Sequence, residues 1–182
     1  QNKLILESAG DGIIGLNAEG IIIFCNRAAA KILAYQPNEL VGVLMHETVQ
    51  YAHIDGTPYE ISDNPMAAAF NHGEALQTDK EVMWRKDGSY VQVEYAATPI
   101  KDGGSLLGAV IVFHDISERL AVDAQIKASM QRFQVLFDEA ADPYLILGGD
   151  SFSDCNQAAV SLLQYKNKES LLMQHPSVLS PD

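Results

Sequence analysis

Cysteine is scarce in this chain: only Cys25 and Cys155 occur among 182 residues. Two thiols argue against a disulfide framework and for a reducing compartment, so a cytoplasmic location is expected. No apolar run approaches the roughly 18 residues needed to cross a bilayer, and Gly20 to Cys25 is only strand-length. Direct membrane insertion is therefore not expected. Basic residues are also few, 12 against 24 acidic ones, for a formal net charge of −12. A surface this acidic repels phosphate backbones and anionic lipid, which removes nucleic acid and membrane surfaces from the partner classes. Solubility is reason enough for the charge itself. The opening Gln1-Asn2-Lys3 lacks both Met and the charged-then-apolar plan of a signal peptide, so the chain reads as an excised piece. Catalytic signatures are missing too: there is no P-loop, no nucleophile elbow and no pair of carboxylates set for acid–base work. A non-enzymatic role is expected.

What is present is an internal repeat. The stretch ESAGDGIIGLNAEGIIIFCNRAAAKILAY ends at Tyr35, and DEAADPYLILGGDSFSDCNQAAVSLLQY ends at Tyr165. Cys25, Asn26, Ala28, Ala29, Leu33 and Tyr35 match Cys155, Asn156, Ala158, Ala159, Leu163 and Tyr165 at a constant spacing of 130. Asp11 matches Asp142 at 131, one residue being dropped in the turn between. That period is domain-sized, too long for a solenoid unit, and marks a tandem duplication.

Within the first copy, Gly12 to Leu16 reads as a strand. Asn17-Ala18-Glu19-Gly20 reads as a hairpin turn, and Ile21 to Cys25 as the returning β-branched strand. Asn26 stands at a helix N-cap before Ala28-Ala29-Ala30, and Pro37 is expected to stop that helix. Short helices and loops follow to Gly73, with Asp63 or Asn64 capping and Pro65 opening a helix over Met66 to Asn71. Three strands are expected at Glu81 to Arg85, Tyr90 to Pro99 and Leu107 to His114, separated by the Lys86-Asp87-Gly88-Ser89 and Asp102-Gly103-Gly104 turns. In the middle strand Val91, Val93, Tyr95 and Ala97 alternate with wetter positions. The expected class is α+β, a five-stranded antiparallel sheet with helices on one face.

Asp115 to about Glu139 holds neither Pro nor Gly and reads as one helix, about 37 Å long at 1.5 Å per residue. Ile126, Met130, Phe133 and Phe137 follow a heptad spacing, which breaks at Arg119 and Asp123 and resumes at Ile116. Two readings fit: the seam of a dimeric coiled coil, or an amphipathic linker packed on its own domain.

The residues GDGIIGLNAEGIIIFCNRAAAKILAY resemble the opening of a PAS domain. WRKDGSYVQVEYAATPIKDGGSLLGAVIVFHDISERL resembles its second half, closing with Asp115-Ile116-Ser117 of the type that leads into a signalling helix. The resemblance implies a PAS domain over residues 1–119, a signalling helix over 115–139 and the incomplete start of a second PAS domain over 133–182. Asn26, Asp115 and Asn156 are then structural. It further implies a place in a multidomain signalling protein of histidine kinase, cyclic-dinucleotide or chemoreceptor type, with the output domain in the same parent chain. Two strands and a helix bury too little to stand alone. The second copy is therefore expected to be completed beyond Asp182 or to lean on another surface.

The sheet's concave face would carry Met83, Val93, Tyr95, Ile111 and Phe113, opposed by Leu33, Met66 and Phe70. Such a face is either a packed core or an apolar pocket with the Tyr95 hydroxyl as its polar handle. No Lys or Arg falls on it, so a ligand there would be small and uncharged. His46, His53, His72, His114 and His175 match no common metal spacing, and structural roles are expected for them. The resemblance also brings haem, through His72, and flavin as alternatives. Against a light-sensing flavin adduct, Cys25 ends a strand and the helical span has no cysteine. No resident cofactor is expected. Three functions follow: a dimeric sensor-relay module, a ligand-free interaction domain, or a haem- or flavin-bearing redox sensor.

Overall fold

Alternating β-branched residues and well-placed turn formers set the first hairpin. Gly12–Asn17 forms β1 and Ile22–Cys25 forms β2. Asn17 closes the turn by accepting from the Glu19 and Ile21 N–H groups, while Gly20 supplies the positive φ of 78°. The computed structural model describes residues 10–66, 69 and 73–179. After β2 come α1 (Arg27–Ile32), α2 (Pro37–Leu40) and α3 (Met45–Val49). Pro65, Met66 and Ala69 are also helical. The rest of the helix expected over Met66 to Asn71, Phe70 included, lies outside the described residues.

The long strands β3 (Leu76–Trp84), β4 (Tyr90–Asp102) and β5 (Ser105–Asp115) complete one antiparallel sheet of order β2-β1-β5-β4-β3. The sequence neighbours β2 and β3 lie at opposite edges of the sheet and do not meet; the first and last strands pair instead, β1 with β5, Ile14 opposite Ile111. That pairing is close. Gly108, at φ +151, lies where a Cβ would sit 1.9 Å from the Leu16 carbonyl, and Gly12 leaves room for the Phe113 ring. All three expected strands run longer than their apolar cores, because polar residues such as Gln77 and Lys101 still pair across the ladder.

One expected stop is corrected. The helix α1 ends at Ile32, not at Pro37, because Ala34 turns left-handed at φ 59° and Tyr35 donates back to the Ala30 carbonyl. Pro37 instead opens α2, where its fixed φ and missing donor suit the first turn.

One face of the sheet and the helices bury Ile14, Leu16, Ile22, Leu33, Leu40, Met45, Val49, Met66, Met83, Val93, Tyr95, Ile111 and Phe113 in a single apolar cluster. Each fully buried aliphatic side chain there contributes roughly 1.5–3 kcal/mol.

The chain divides into two compact units, Gln1–Leu120 and Ala121–Asp182. The boundary falls inside α4 (Ser117–Glu139), a single unbroken helix. The second unit continues with β6 (Leu145–Gly148), β7 (Ser151–Cys155), α5 (Gln157–Leu162) and α6 (Lys168–Leu172). Its core is small: Cys155, Ala159, Val160 and Leu171, flanked by Leu145, Leu163, Tyr165 and Leu172. Among the described residues no helix is long and apolar enough to cross a membrane.

Candidate functional site: a buried pocket face and an exit helix

Seven of the eight expected pocket residues meet in the first unit. The pleat of β4 points Val93 and Tyr95 inward, and the β4–β5 register sets Tyr95 opposite Phe113 and Ala97 opposite Ile111. From β3, Met83 lies opposite Val91. Leu33 caps the end of α1, and Met66 comes from the segment facing the sheet. All seven are buried. The eighth, Phe70, lies outside the described residues.

A polar network that sequence reasoning missed sits against this face. Gln50 follows α3 and Asn64 precedes Pro65, and both are buried. The Met66 N–H donates to Asn64 Oδ1 at 2.9 Å, which orients the Asn64 amide. Asn64 Nδ2 then donates to Gln50 Oε1 at 3.0 Å and faces His46 Nδ1 at 3.1 Å. Nearby, the Tyr59 hydroxyl donates to Glu81 at 3.4 Å, and the His53 ring lies 4.0 Å from the Tyr59 ring. Burial, then the Glu81 charge, pushes the Tyr59 phenol up to about 12. Burial and Glu81 raise the Tyr95 phenol as well, so both stay neutral.

The histidines have other duties. His46 and His53 pack on Tyr59, and His114 pairs with Asp11. Among the described residues no group of three or more His, Cys, Asp or Glu is placed to hold a metal ion. His72 lies outside the described residues. Cys25 is buried with its Sγ on the Pro37 carbonyl, and burial raises its thiol pKa, the opposite of an activated cysteine.

The Asn cap is repeated almost bond for bond. Asn26 Oδ1 accepts from Ala29 N at 2.8 Å and from Ile13 N at 3.0 Å, while its Nδ2 donates to the Asp11 carbonyl. Asn156 does the same with Ala159, Tyr144 and Asp142. Each Asn therefore caps a helix and straps it to the start of the preceding hairpin. The matched Asp11 and Asp142 were the sequence signal for the strap.

The exit from the sheet is clamped. Asp115 accepts from the Ser117 N–H at the start of α4, and Ile116 is buried with its N–H on the Gln92 carbonyl. Arg85 joins three elements there: it donates to the Ile32 carbonyl at 2.8 Å and to the Tyr90 carbonyl, and it lies 3.7 Å from Asp115. Farther along α4, Ile126, Met130 and Phe133 are 54%, 67% and 57% exposed. At the two ends of the expected seam, Ile116 is buried in the first unit and Phe137 in the second. There Phe137 stacks with Tyr144 and lies under Lys168. Only the middle of the seam is open.

Comparison with known proteins agrees with this geometry. The PAS fold family matches residues 1–116, and a PAS domain family matches residues 131–182. The chain is 27% identical over 123 residues to the signal transduction histidine-protein kinase AtoS of Escherichia coli, covering 65% of this chain and 18% of that protein. It is 27% identical over 127 residues to the probable diguanylate cyclase DgcE of the same organism, covering 69% of this chain and 11% of that protein. The chain thus spans less than a fifth of the length of either relative. Its fold is similar to a PAS domain from Colwellia psychrerythraea, with a TM-score of 0.53 at 22% identity over 65% of this chain and 96% of that one. It is also similar to the PAS domain of nitrogen regulation protein NR(II) from Vibrio parahaemolyticus, with a TM-score of 0.50 at 16% identity over 63% and 97%. With both family matches lying in register on the two halves of the duplication, the chain belongs to the PAS family.

Proposed function

We propose that the chain is the sensory relay of a multidomain signalling protein, whose first PAS domain (residues 1–119) receives a small uncharged ligand and passes its state along the helix 115–139. Residues 133–182 then form the opening of a second PAS domain. Two such chains pair through α4, and an output domain elsewhere in the parent reads the result. The related kinase and probable cyclase, both far longer than this chain, support a parent of that kind. A cytoplasmic setting fits the two unpaired, buried thiols.

The observation that carries the reading is the exposed apolar middle of a helix whose start is clamped to the sheet. Three large apolar side chains at heptad spacing, each more than half exposed, are what an unpaired coiled-coil strand presents. The Arg85–Asp115 pair and the Ile116–Gln92 bond join that helix to the β3–β4 hairpin, which borders the pocket face. A change in the face can therefore bias the helix as a two-state element. Sedimentation equilibrium tests the pairing: the wild-type chain is expected to be dimeric, and Met130→Glu with Phe133→Glu monomeric. A double variant that still sediments as a dimer removes α4 as the interface.

A further inference from the structure

The buried network leaves two polar groups over. Asn64 fixes the Gln50 amide with Oε1 toward Asn64, so Gln50 Nε2 points its hydrogens the other way. That nitrogen is fully buried and finds no hydrogen-bond partner among the described residues. The Tyr95 hydroxyl, fully buried as well, also finds none. Both residues are at most 2% exposed. Gln50 and the Met66 N–H lie within donor reach of the Tyr95 hydroxyl and act against the rise of its pKa, yet neither closes a bond of normal geometry, and that N–H is already given to Asn64. Folded proteins leave few such groups, because a buried donor that has lost water and gained nothing opposes folding.

The two groups share a character. Gln50 Nε2 can only donate, and the neutral phenol can donate. The two lie close to each other, and Tyr95 belongs to a cluster that also holds Met45, Met66 and Met83. Methionines are unbranched and repack readily around a guest. Glu81 makes the surroundings hostile to an anion, since its charge already acts on Tyr95. Among the described residues of the pocket face there is no Lys or Arg to compensate an anion's charge.

We propose that Gln50 Nε2 and the Tyr95 hydroxyl converge on the carbonyl oxygen of a small neutral ligand, with Asn64 and His46 holding Gln50 in its donating orientation. The site names a ligand class for the sensor reading above and rests on it only for the consequence of binding. His46 Nδ1 is the second partner of Asn64 Nδ2, which helps hold the Asn64 amide, and through it Gln50, in place. The orphan donors are thereby selective. A hydrocarbon of the same shape leaves them unpaired, and a carboxylate meets Glu81.

Three probes test this on the whole chain by NMR titration: cyclohexanone, its isostere methylenecyclohexane, and cyclohexanecarboxylate. Cyclohexanone is expected to bind saturably, shifting the Gln50 side-chain amide and the methyls of Met45, Met66 and Met83. Methylenecyclohexane should bind about tenfold more weakly and the carboxylate more weakly still. Tyr95→Phe and Gln50→Leu should each weaken cyclohexanone about tenfold, while Tyr95→Phe leaves Tm unchanged or raises it, since it removes an unpaired hydroxyl. Equal affinity for ketone and hydrocarbon overturns the proposal, as does binding indifferent to both variants. So does the absence of saturable ketone binding, or a marked fall in Tm for Tyr95→Phe, which would mean that the hydroxyl is already partnered. A Met130→Glu, Phe133→Glu chain that remains dimeric while cyclohexanone binds as expected defeats the relay and leaves this site standing. A chain that becomes monomeric but takes no ketone does the reverse.

Discussion

The two copies of the duplicated segment fold alike and are buried differently. In both, the hairpin has the same register, Ile14 opposite Cys25 and Leu145 opposite Cys155, with a bulge at the same step. In both, Asn caps the following helix, and a non-glycine residue, Ala34 or Gln164, ends it at φ 59°. Yet Leu16 is fully buried while its counterpart Leu147 is 60% exposed. The difference is the sheet. β1 is flanked by β5 and covered by the helices, whereas β6 pairs only with β7 among the described residues. Local chemistry is enough to specify hairpin, cap and helix; burial, which supplies most of the stability, needs the strands that arrive later in sequence.

The largest expected contrast lies at that pair. Leu16→Ala should cost about 2–5 kcal/mol by denaturant unfolding, as an intact core leaves a cavity. Leu147→Ala should stay within about 0.5 kcal/mol, as for an ordinary surface change. Equal losses would mean that Leu147 is covered in solution, and the comparison would break.

The shared caps come next. Asn26→Ala and Asn156→Ala each orphan two backbone N–H groups and remove the donor to a backbone carbonyl, that of Asp11 or Asp142, so each should cost about 2–3 kcal/mol in its own unit. Amide exchange at Ile13 and Ala29, or at Tyr144 and Ala159, would localise the loss. A smaller, opposite effect is expected at the helix ends. Ala34→Gly and Gln164→Gly relieve a left-handed residue and should stabilise by roughly 0.5–1 kcal/mol each.

The smallest contrast is in pH. Tyr59 and Tyr95 are raised in the folded first unit, so folding favours their neutral forms. That stability is fully present below the unfolded phenol value, near pH ~10, and is lost as pH rises from there through the raised folded values, about 12 for Tyr59. Phenolate absorbance should show both rings titrating only as the first unit unfolds. Their early ionisation would contradict the burial described.

Much of this was legible in the chain. Alternation in Val91 to Ala97 gave the buried face, and the repeated Cys-Asn with its Ala-rich follow-on gave hairpin and cap. Pro37 misled because its rigidity suits the start of a helix as well as the end of one, and nothing in Ala34 advertises a left-handed turn. Heptad spacing marks the apolar positions of the helix, but spacing does not tell which members a domain keeps for itself, as it does with Ile116 and Phe137. The Gln50–Asn64–His46 network was invisible for a different reason. His46 lies in the short helix α3 and Gln50 just past its end, while Asn64 comes 18 and 14 residues later in a loop, with no period to betray a shared face.

The relay itself is tested by exchange at a distance. Coupling between helix and pocket must be reciprocal, so breaking the seam should be felt at the sheet. Amide hydrogen exchange of the wild-type chain and of Met130→Glu, Phe133→Glu should differ along residues 121–136 and also in β4 and β5 around Val93, Tyr95 and Phe113. Identical exchange in those strands, with the dimer lost, would leave a dimerising helix that carries no signal.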